Sequence, residues 1–528
     1  MANTGGVSDA QPRLAELVGA LSLATDLAAG LAYETALRTC LLAVRLGRTL
    51  GLRGEALRDV YYTGLLRFIG CTAFAHETAA RFGGDDMALL GALTPADVAS
   101  PLSVLATAMR RVEVGRPPLR RAATVARLMA DPSFGPRLAA AHCELAVALA
   151  GRLGMPTPVV AALGQIYERY DGKGGPRGLR GSDVALPARL GHVAFRAETQ
   201  RALFGPAEAV AVVAERADAE LDPELARAFV GDAPALLEQA DAPSAWELFL
   251  AAEPSPVVRV EPGRAGEIAE AFAHYADVKS PYTLGHSVGV AGLAARAGGA
   301  ASLSEAAREE LRVAGLLHDL GRISVPNSIW DKPGPLNTVE WERVRLHPYQ
   351  TERILSQSPL LAPFAPVAGG HHERSDGSGY HRGLPGAALS RPARILAASD
   401  AYQAMTEPRP HRPARAPAEA AHALAEEARA GRLDQAAVEA VLTAAGQRRA
   451  ARERGTRPAM LSEREVEVLC LLARGLSNKA IAERLVLSPK TVKNHIAHIY
   501  EKAGISTRAA AAVFAVTNDL LEDGPDGP

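Results

Sequence analysis

Leu317-His318-Asp319-Leu320-Gly321-Arg322-Ile323, followed downstream by His371-His372-Glu373-Arg374-Ser375-Asp376-Gly377-Ser378-Gly379-Tyr380, decides how this chain is read. A lone histidine carries little information, since it usually packs in a core or sits on a surface. Here an adjacent His-Asp and an adjacent His-His are joined by His286, His347 and Asp400, so five histidines and two aspartates share one segment. Imidazole nitrogens and carboxylate oxygens bind Mn, Fe or Zn, and one aspartate can bridge two metals through its two oxygens. Two metals a few ångströms apart can clamp a phosphodiester for in-line attack.

The residues around these ligands extend the pattern. Val325-Pro326 and Lys332-Pro333-Gly334-Pro335-Leu336 follow the first run, while Arg382-Gly383-Leu384, Arg394-Ile395 and Arg409-Pro410 follow the second. Together they resemble the HD-GYP branch of the HD-domain phosphohydrolases. The resemblance implies a helical domain with a dinuclear centre that hydrolyses cyclic dinucleotides, typically cyclic di-GMP. By it, His286, His318 and Asp400 hold one divalent metal, His347, His371 and His372 the other, and Asp319 bridges, with Fe or Mn as the metals. Asp319 and Arg322 become the catalytic candidates, and Tyr380, Arg409 and Arg412 fall at substrate-gripping positions. The chain departs from the family pattern at three places. Arg322 stands where a lysine is usual, keeping the charge but widening the donor. The Gly-Tyr-Pro signature reads Gly379-Tyr380-His381, which removes the backbone constraint of proline. Tyr282 occupies the place where members binding three metals carry a glutamate, so two metals are expected.

The first half echoes the second. Glu168-Arg169-Tyr170-Asp171-Gly172-Lys173-Gly174 aligns with Glu373-Arg374-Ser375-Asp376-Gly377-Ser378-Gly379, and the same offset relates His142 to His347 and Arg189 to Arg394. Gly64-Leu65-Leu66 likewise matches Gly315-Leu316-Leu317, so two copies of one helical fold are expected. The ligands do not carry over. His318-Asp319 correspond to Arg67-Phe68, His371-His372 to Ile166-Tyr167, and Asp400 to Phe195, while His286 falls near Arg38 if a gap is allowed. Only His142 survives, and one histidine cannot hold two metals. The first copy then reads as a scaffold or dimerisation unit, or else as a regulatory pocket.

From Leu461 the texture changes. Ser462 and Glu465 form a capping box, and Val466, Leu469, Cys470 and Ala473 make a core-facing helical stripe. Gly475 stops that helix, Ser477 caps a second, and Ser488-Pro489 opens a third that buries Val492, Ile496 and Ile499 and exposes Lys490, Lys493, Asn494 and His498. Two helices joined by a tight turn, the second polar and basic outside, describe a helix-turn-helix. Leu461-Ser462-Glu463-Arg464-Glu465, Gly475-Leu476-Ser477-Asn478-Lys479 and Thr491-Val492-Lys493-Asn494-His495 resemble the LuxR-type four-helix DNA-binding domain. That resemblance places Lys493, Asn494 and Ala497 toward the major groove of double-stranded DNA, and Lys479, Ser488, Lys490, Thr491 and His495 toward phosphates. Lysine can donate to guanine acceptors and asparagine can pair with adenine.

The chain of 528 residues is too long for one core, and a net charge of −1 excludes a globally basic nucleic-acid coat but leaves room for a local DNA-binding module. Four scattered cysteines give neither a disulfide framework nor a zinc motif. No leader pattern or long apolar run is seen, so a cytoplasmic protein without membrane contact is expected. The expected fold is all-α: a degenerate HD-type domain over 10–240, a metal-dependent HD-type domain over 261–446, a basic linker over 447–459 and a LuxR-type domain over 460–521. Paired half-sites for such domains imply a homodimer. Two functional readings stand beside a phosphodiesterase fused to a transcriptional regulator: a nucleotide-gated, non-catalytic regulator, and an HD hydrolase of another phosphoester.

Overall fold

A computed structural model describes residues 11–82, 84–238, 242–261, 263–446, 461–518 and 520–522. Among them the regular structure is helical, with only isolated bridges such as Asp376 to Pro385, so the chain is all-α as expected. The basic linker expected at 447–459 lies outside the described residues. No helix among those described is long and apolar enough to cross a membrane.

The repeat recurs contact by contact. Helix Thr35–Thr49 packs on Gly54–Leu65 as His286–Ala300 packs on Glu305–Leu317. Each pair is entered through a left-handed residue, Glu34 (φ 69°) in one copy and Gly285 (φ 75°) in the other. A buried aspartate ties down the first turn in both: Asp26 accepts from the Ala36 amide at 3.0 Å and Asp277 from the Ser287 amide at 2.9 Å. The counterpart of His286 is therefore Thr35, not Arg38 as the sequence alignment suggested. The entry turns have equal length, and no gap is needed.

Gly70 and Gly321 are equivalent too. A Cβ at either would overlap a carbonyl, that of His142 in the first copy and of His347 in the second. Helices Leu186–Phe204 and Arg391–Thr406 close the two units. Each is pinned by the same ion pair, Arg189 to Asp222 at 2.5 Å and Arg394 to Asp434 at 2.8 Å.

The two copies do not fold around separate centres. Tyr61, Leu65, Phe249, Phe272, Tyr275 and Leu317 belong to one buried cluster running through both. Polar contacts cross the same seam: the Tyr275 hydroxyl lies 3.3 Å from the Cys71 sulfur, and the Thr72 hydroxyl donates to the Tyr275 carbonyl at 3.1 Å. The first copy carries an insertion, since 74 positions separate Phe68 from His142 but only 28 separate Asp319 from His347. Helices Ala75–Phe82, Asp86–Leu93, Pro101–Arg111 and Pro118–Met129 fill it. The first two rest on the loop after Asp319. Asp86 accepts from the Asn327 amide at 2.8 Å, His76 pairs with Asp331 at 2.8 Å, and Arg343 reaches Asp85 at 2.8 Å.

The C-terminal unit comprises helices Glu463–Ala473, Asn478–Leu485, Pro489–Ala503 and Arg508–Thr517. Ser462 and Glu465 form the reciprocal capping box, and Ser477 and Ser488 cap the next two helices; each such cap contributes about 1 kcal/mol. Its own core is Leu469, Leu472, Ile481, Leu485, Val492 and Ile499. The unit is docked onto the rest of the molecule. Ala509 and Val513 of its last helix enter the cluster shared by the two copies, and the Thr507 hydroxyl donates to Glu144 at 2.6 Å. On the other side Gly475 packs on Pro281, and Leu284 packs against the unit's core.

Candidate metal centre and nucleic-acid interface

Helix starts and helix ends bring the seven ligand candidates together. His286 opens one helix, His318 follows the last residue of Glu305–Leu317, His347 opens another, and Asp400 sits on Arg391–Thr406. His371 and His372 lie just after the short helix Ala365–Ala368. Three of the imidazoles are fixed in the same way. His318 Nδ1 donates to the Gly315 carbonyl (2.7 Å), His347 Nδ1 to Val344 (2.6 Å) and His371 Nδ1 to Ala368 (2.6 Å). A proton committed to Nδ1 leaves Nε2 with a free lone pair, the state a metal ligand needs.

Those lone pairs converge. His347, His371 and His372 form one set of donors within 4.8 Å of one another, and His286, His318 and Asp400 form a second. Asp319 lies between them. Its Oδ1 is 3.3 Å from His347 Nε2 and 3.7 Å from His371 Nε2, while its Oδ2 is 3.8 Å from both His286 Nε2 and His318 Nε2.

The donors are well suited to divalent cations. His318 Nε2 is buried without a hydrogen-bond partner, which a buried polar atom rarely tolerates unless something else satisfies it. Burial pushes His318 down to about 4, so its ring is neutral at physiological pH. Burial opposes charge on Asp319 as well, but His318 and Arg322 outweigh it and hold the carboxyl well below the usual range. Burial also opposes charge on Asp400, and contact with His286 and His372 keeps it low. Burial opposes charge on His286 as well, but Glu407 and Asp400 outweigh it and raise its ring to about 10, so ionised carboxylates here face both a neutral and a charged imidazole.

Supporting residues that the sequence reading had not singled out orient this set. Glu407 accepts from His286 Nδ1 at 2.8 Å, leaving Nε2 to face Asp400, and it also pairs with Arg409 at 3.0 Å. Thr351 accepts from the Gly321 amide (2.9 Å) and donates to the His318 carbonyl (2.8 Å), locking the His-Asp turn to the His347 helix. Glu373 takes the amides of Arg382 and Leu384 at 3.1 and 2.9 Å and closes the loop bearing Tyr380. Glu168 does the same for Arg177 and Leu179 in the first copy, at 2.7 and 2.9 Å. The recurring Glu-Arg-x-Asp-Gly run was the signal for this clamp.

The substrate-gripping candidates are distributed unevenly. Arg322 stacks 3.8 Å over the Trp330 ring and reaches Asp319 at 3.2 Å. Tyr380 lies over His372, with ring centroids 4.4 Å apart. Arg409 is half-turned from the centre, donating to the Tyr282 carbonyl at 2.8 Å as well as to Glu407. Arg412 directs its guanidinium to the carbonyls of Ala404, Met405 and Glu407 at 2.5, 3.2 and 3.1 Å, where it finishes the Arg391–Thr406 helix. A phosphate would have to compete with those acceptors.

In the first copy, other groups fill the corresponding space. The Arg67 guanidinium lies 4.6 Å over the Phe195 ring and donates to the Ile166 carbonyl at 3.2 Å. Phe68 packs on Phe195, and His142 Nδ1 is 2.7 Å from the Tyr167 hydroxyl. A fixed organic cation and aromatic rings thus stand where the second copy gathers its ligands. Burial pushes His142 down to about 3, which keeps it neutral.

In the C-terminal unit, Lys479, Ser488, Lys490, Lys493, Asn494 and Ala497 are exposed, and Thr491 and His495 are half-buried. Ser488 accepts from the Thr491 amide at 3.0 Å, so both hydroxyls sit at the N-terminus of Pro489–Ala503. That helix turns its basic and amide side chains to solvent, while Lys502 anchors its far end on Glu465 at 2.7 Å.

A family model described as HD domain matches residues 136–225 and 270–437, and one described as bacterial regulatory proteins, luxR family, matches 459–515. The 3'3'-cGAMP-specific phosphodiesterase 3 of Vibrio cholerae is 28% identical over 405 residues, which cover 76% of this chain and 88% of that protein. The cyclic di-GMP phosphodiesterase PA4108 of Pseudomonas aeruginosa is 39% identical over 146 residues, 28% of this chain and 35% of that protein. A crystal structure of a cyclic GMP-AMP specific phosphodiesterase of Vibrio cholerae (V-cGAP3) superposes with a TM-score of 0.57 at 26% identity, covering 82% of this chain and 98% of that one. The chain thus carries an HD domain of the metal-dependent phosphohydrolase kind and, toward its C-terminal end, a luxR-family helix-turn-helix domain.

Proposed function

We propose that residues 261–446 form a phosphodiesterase unit that opens a cyclic dinucleotide, with cyclic di-GMP and 3'3'-cGAMP as the candidate substrates. The observation that carries this reading is Asp319, whose two oxygens face two separate sets of three donors. The arrangement fits two divalent metals, Fe or Mn, with His286, His318 and Asp400 at one position, His347, His371 and His372 at the other, and Asp319 between them. Bound there, such metals supply Lewis acidity toward phosphoryl oxygens and acidify water. The chain's own residues do the rest. Arg322, held flat by Trp330, offers donors beside Asp319 to a phosphoryl oxygen as its charge grows. Tyr380 covers His372 and gives a ring for a base to lie against, and Arg409 adds positive charge behind the centre. Cyclic di-GMP is the expectation from the motifs. The longer likeness, over most of the chain, is to a cGAMP-specific relative, which is why both are carried.

The C-terminal unit reads DNA in the same proposal, with Lys493, Asn494 and Ala497 toward bases and Lys479, Ser488, Lys490, Thr491 and His495 toward phosphates. Coupling between the two activities is supported by Leu284, which packs on the C-terminal unit's core two positions before the ligand His286. Occupancy of the centre would therefore change DNA affinity, through the pairing of two chains on paired half-sites. The test is turnover of both cyclic dinucleotides by Mn- or Fe-loaded protein, with Asp319→Ala as control, alongside DNA binding with and without nucleotide. Turnover that the control lacks supports the enzyme. An inactive, fully metal-loaded protein whose DNA affinity still responds to nucleotide leaves a nucleotide-gated regulator instead.

A further inference from the structure

A cleft of about 360 Å³ opens where the C-terminal unit meets the first copy, away from the metal centre. Phe74 and Phe134 form its apolar wall, with ring centroids 5.6 Å apart. Arg81 and Arg137 enter from the first copy, Arg508 from the last helix of the C-terminal unit, and the Glu77 carboxylate lines the same space. Pockets for small molecules share this composition: a mostly apolar lining, a few converging polar groups and a position between domains.

The charges are only partly matched within the protein. Arg81 and Arg137 share one carboxylate, Asp131, at 3.5 and 2.8 Å. Arg508 donates to the Leu472 and Leu476 carbonyls at 3.3 and 2.6 Å and to Asn478 at 3.2 Å, which are neutral acceptors. Glu144, just behind, is taken by Ser506 and Thr507. The lining itself thus holds three guanidiniums and one carboxylate, Glu77, with the carboxylates of Asp131 and Glu144 just outside it.

We propose that this cleft binds a guanine nucleotide. Guanidinium groups with spare donors suit a phosphate, aromatic faces suit a base, and a carboxylate accepts without donating. Guanine offers that carboxylate two adjacent donors, its ring N–H and its exocyclic amine, whereas adenine places an acceptor beside its amine. The bound nucleotide would rest on the first copy, with its phosphate on Arg81 and Arg137 and its base edge on Glu77, and would face Arg508 of the C-terminal unit across the cleft. It would also sit one residue from His76, whose ring holds Asp331 in the loop after the metal centre. The site does not depend on catalysis, and nothing at the metal centre is needed to form it.

The test is calorimetric titration of the full chain carrying Asp319→Ala, so that turnover is removed, with GMP, AMP, guanosine and inorganic phosphate as separate probes. The expected result is one saturable GMP site at least tenfold tighter than AMP or guanosine. Arg81→Glu combined with Arg137→Glu should weaken GMP at least tenfold while leaving phosphodiesterase turnover of the otherwise unaltered chain in place. Glu77→Gln should narrow the difference between GMP and AMP. No saturable GMP binding, equal binding in the double variant, or an unchanged base preference in Glu77→Gln would each overturn the proposal. None of these outcomes bears on whether the metal centre hydrolyses a cyclic dinucleotide.

Discussion

Removing the Glu407 carboxylate should loosen the metal centre without touching a ligand. Glu407 is held low in its titration because His286 and Arg409 outweigh the cost of its burial. It accepts from His286 Nδ1 at 2.8 Å, from Gln403 at 2.9 Å and from Arg409 at 3.0 Å. In Glu407→Ala the His286 ring loses the partner that fixes its tautomer, and Arg409 is left without its counter-charge beside a site that must accept cations. Partners of this kind typically contribute 10–100-fold in metal affinity, roughly 1.4–2.7 kcal/mol. Glu407→Gln keeps an oxygen for His286 Nδ1 but not the charge, so a loss nearer the lower end is expected. The assay is metal content by elemental analysis after dialysis against buffered free Mn, beside wild type and Asp319→Ala. If Glu407→Ala retains metal as tightly as wild type, the carboxylate does not orient His286, and the role given to it here is wrong.

Arg322→Ala should lower turnover by about 10–100-fold, the worth of a charge-assisted hydrogen bond of roughly 1.5–3 kcal/mol, with metal content unchanged. Arg322→Lys keeps the charge but loses the stack on Trp330, so it should fall between, and equal kcat/KM in all three proteins would remove the residue from the chemistry. On a DNA site obtained by in vitro selection, Lys493→Ala should cost roughly 1–3 kcal/mol and relax preference at one base. Lys490→Ala should weaken all sequences alike and reduce the salt dependence by about one unit; a specificity change at Lys490 instead would reverse these assignments. Glu220 supplies a pH prediction. Burial would raise its carboxyl, but Arg196 and Arg216 hold it at about 2 against an ordinary 4.5. Its stabilising contribution, about 3 kcal/mol, is thus complete above about pH 4.5 and fades as pH falls toward 2. Urea unfolding of wild type and Glu220→Gln should differ most at pH 5.5, narrow as pH falls below 4.5 and converge only near pH 2, and a gap that does not narrow on acidification would exclude this linkage.

Much of the molecule was legible in the residues alone. His318-Asp319 and His371-His372 are informative because ligand chemistry demands particular atoms, and those atoms are written in the sequence. The caps at Ser462, Ser477 and Ser488, and the turn at Gly475, depend on neighbours within four positions, so they too can be read locally. The loss of ligands at Ile166 and Phe195 followed from the 205-position offset, and that at Arg67 and Phe68 from the match of Gly64-Leu65-Leu66 to Gly315-Leu316-Leu317. What Arg67 does there required the fold, because its contacts with Phe195 and Ile166 join residues about a hundred positions apart.

The tertiary structure decided the remainder, for the same reason. Glu407 reaches His286 across 121 positions, and no spacing rule points from one to the other. Thr35 replaced Arg38 as the partner of His286 because the Asp26 and Asp277 contacts fix the helix start, where a gapped alignment has no such anchor. Arg412 has the same charge in the sequence whether it faces a phosphate or finishes a helix, and only its carbonyl partners tell which. Residue types and short spacings fix the chemistry a segment can perform. Which distant groups support, neutralise or cover that chemistry is settled only when the shared core brings the copies and the C-terminal unit into contact.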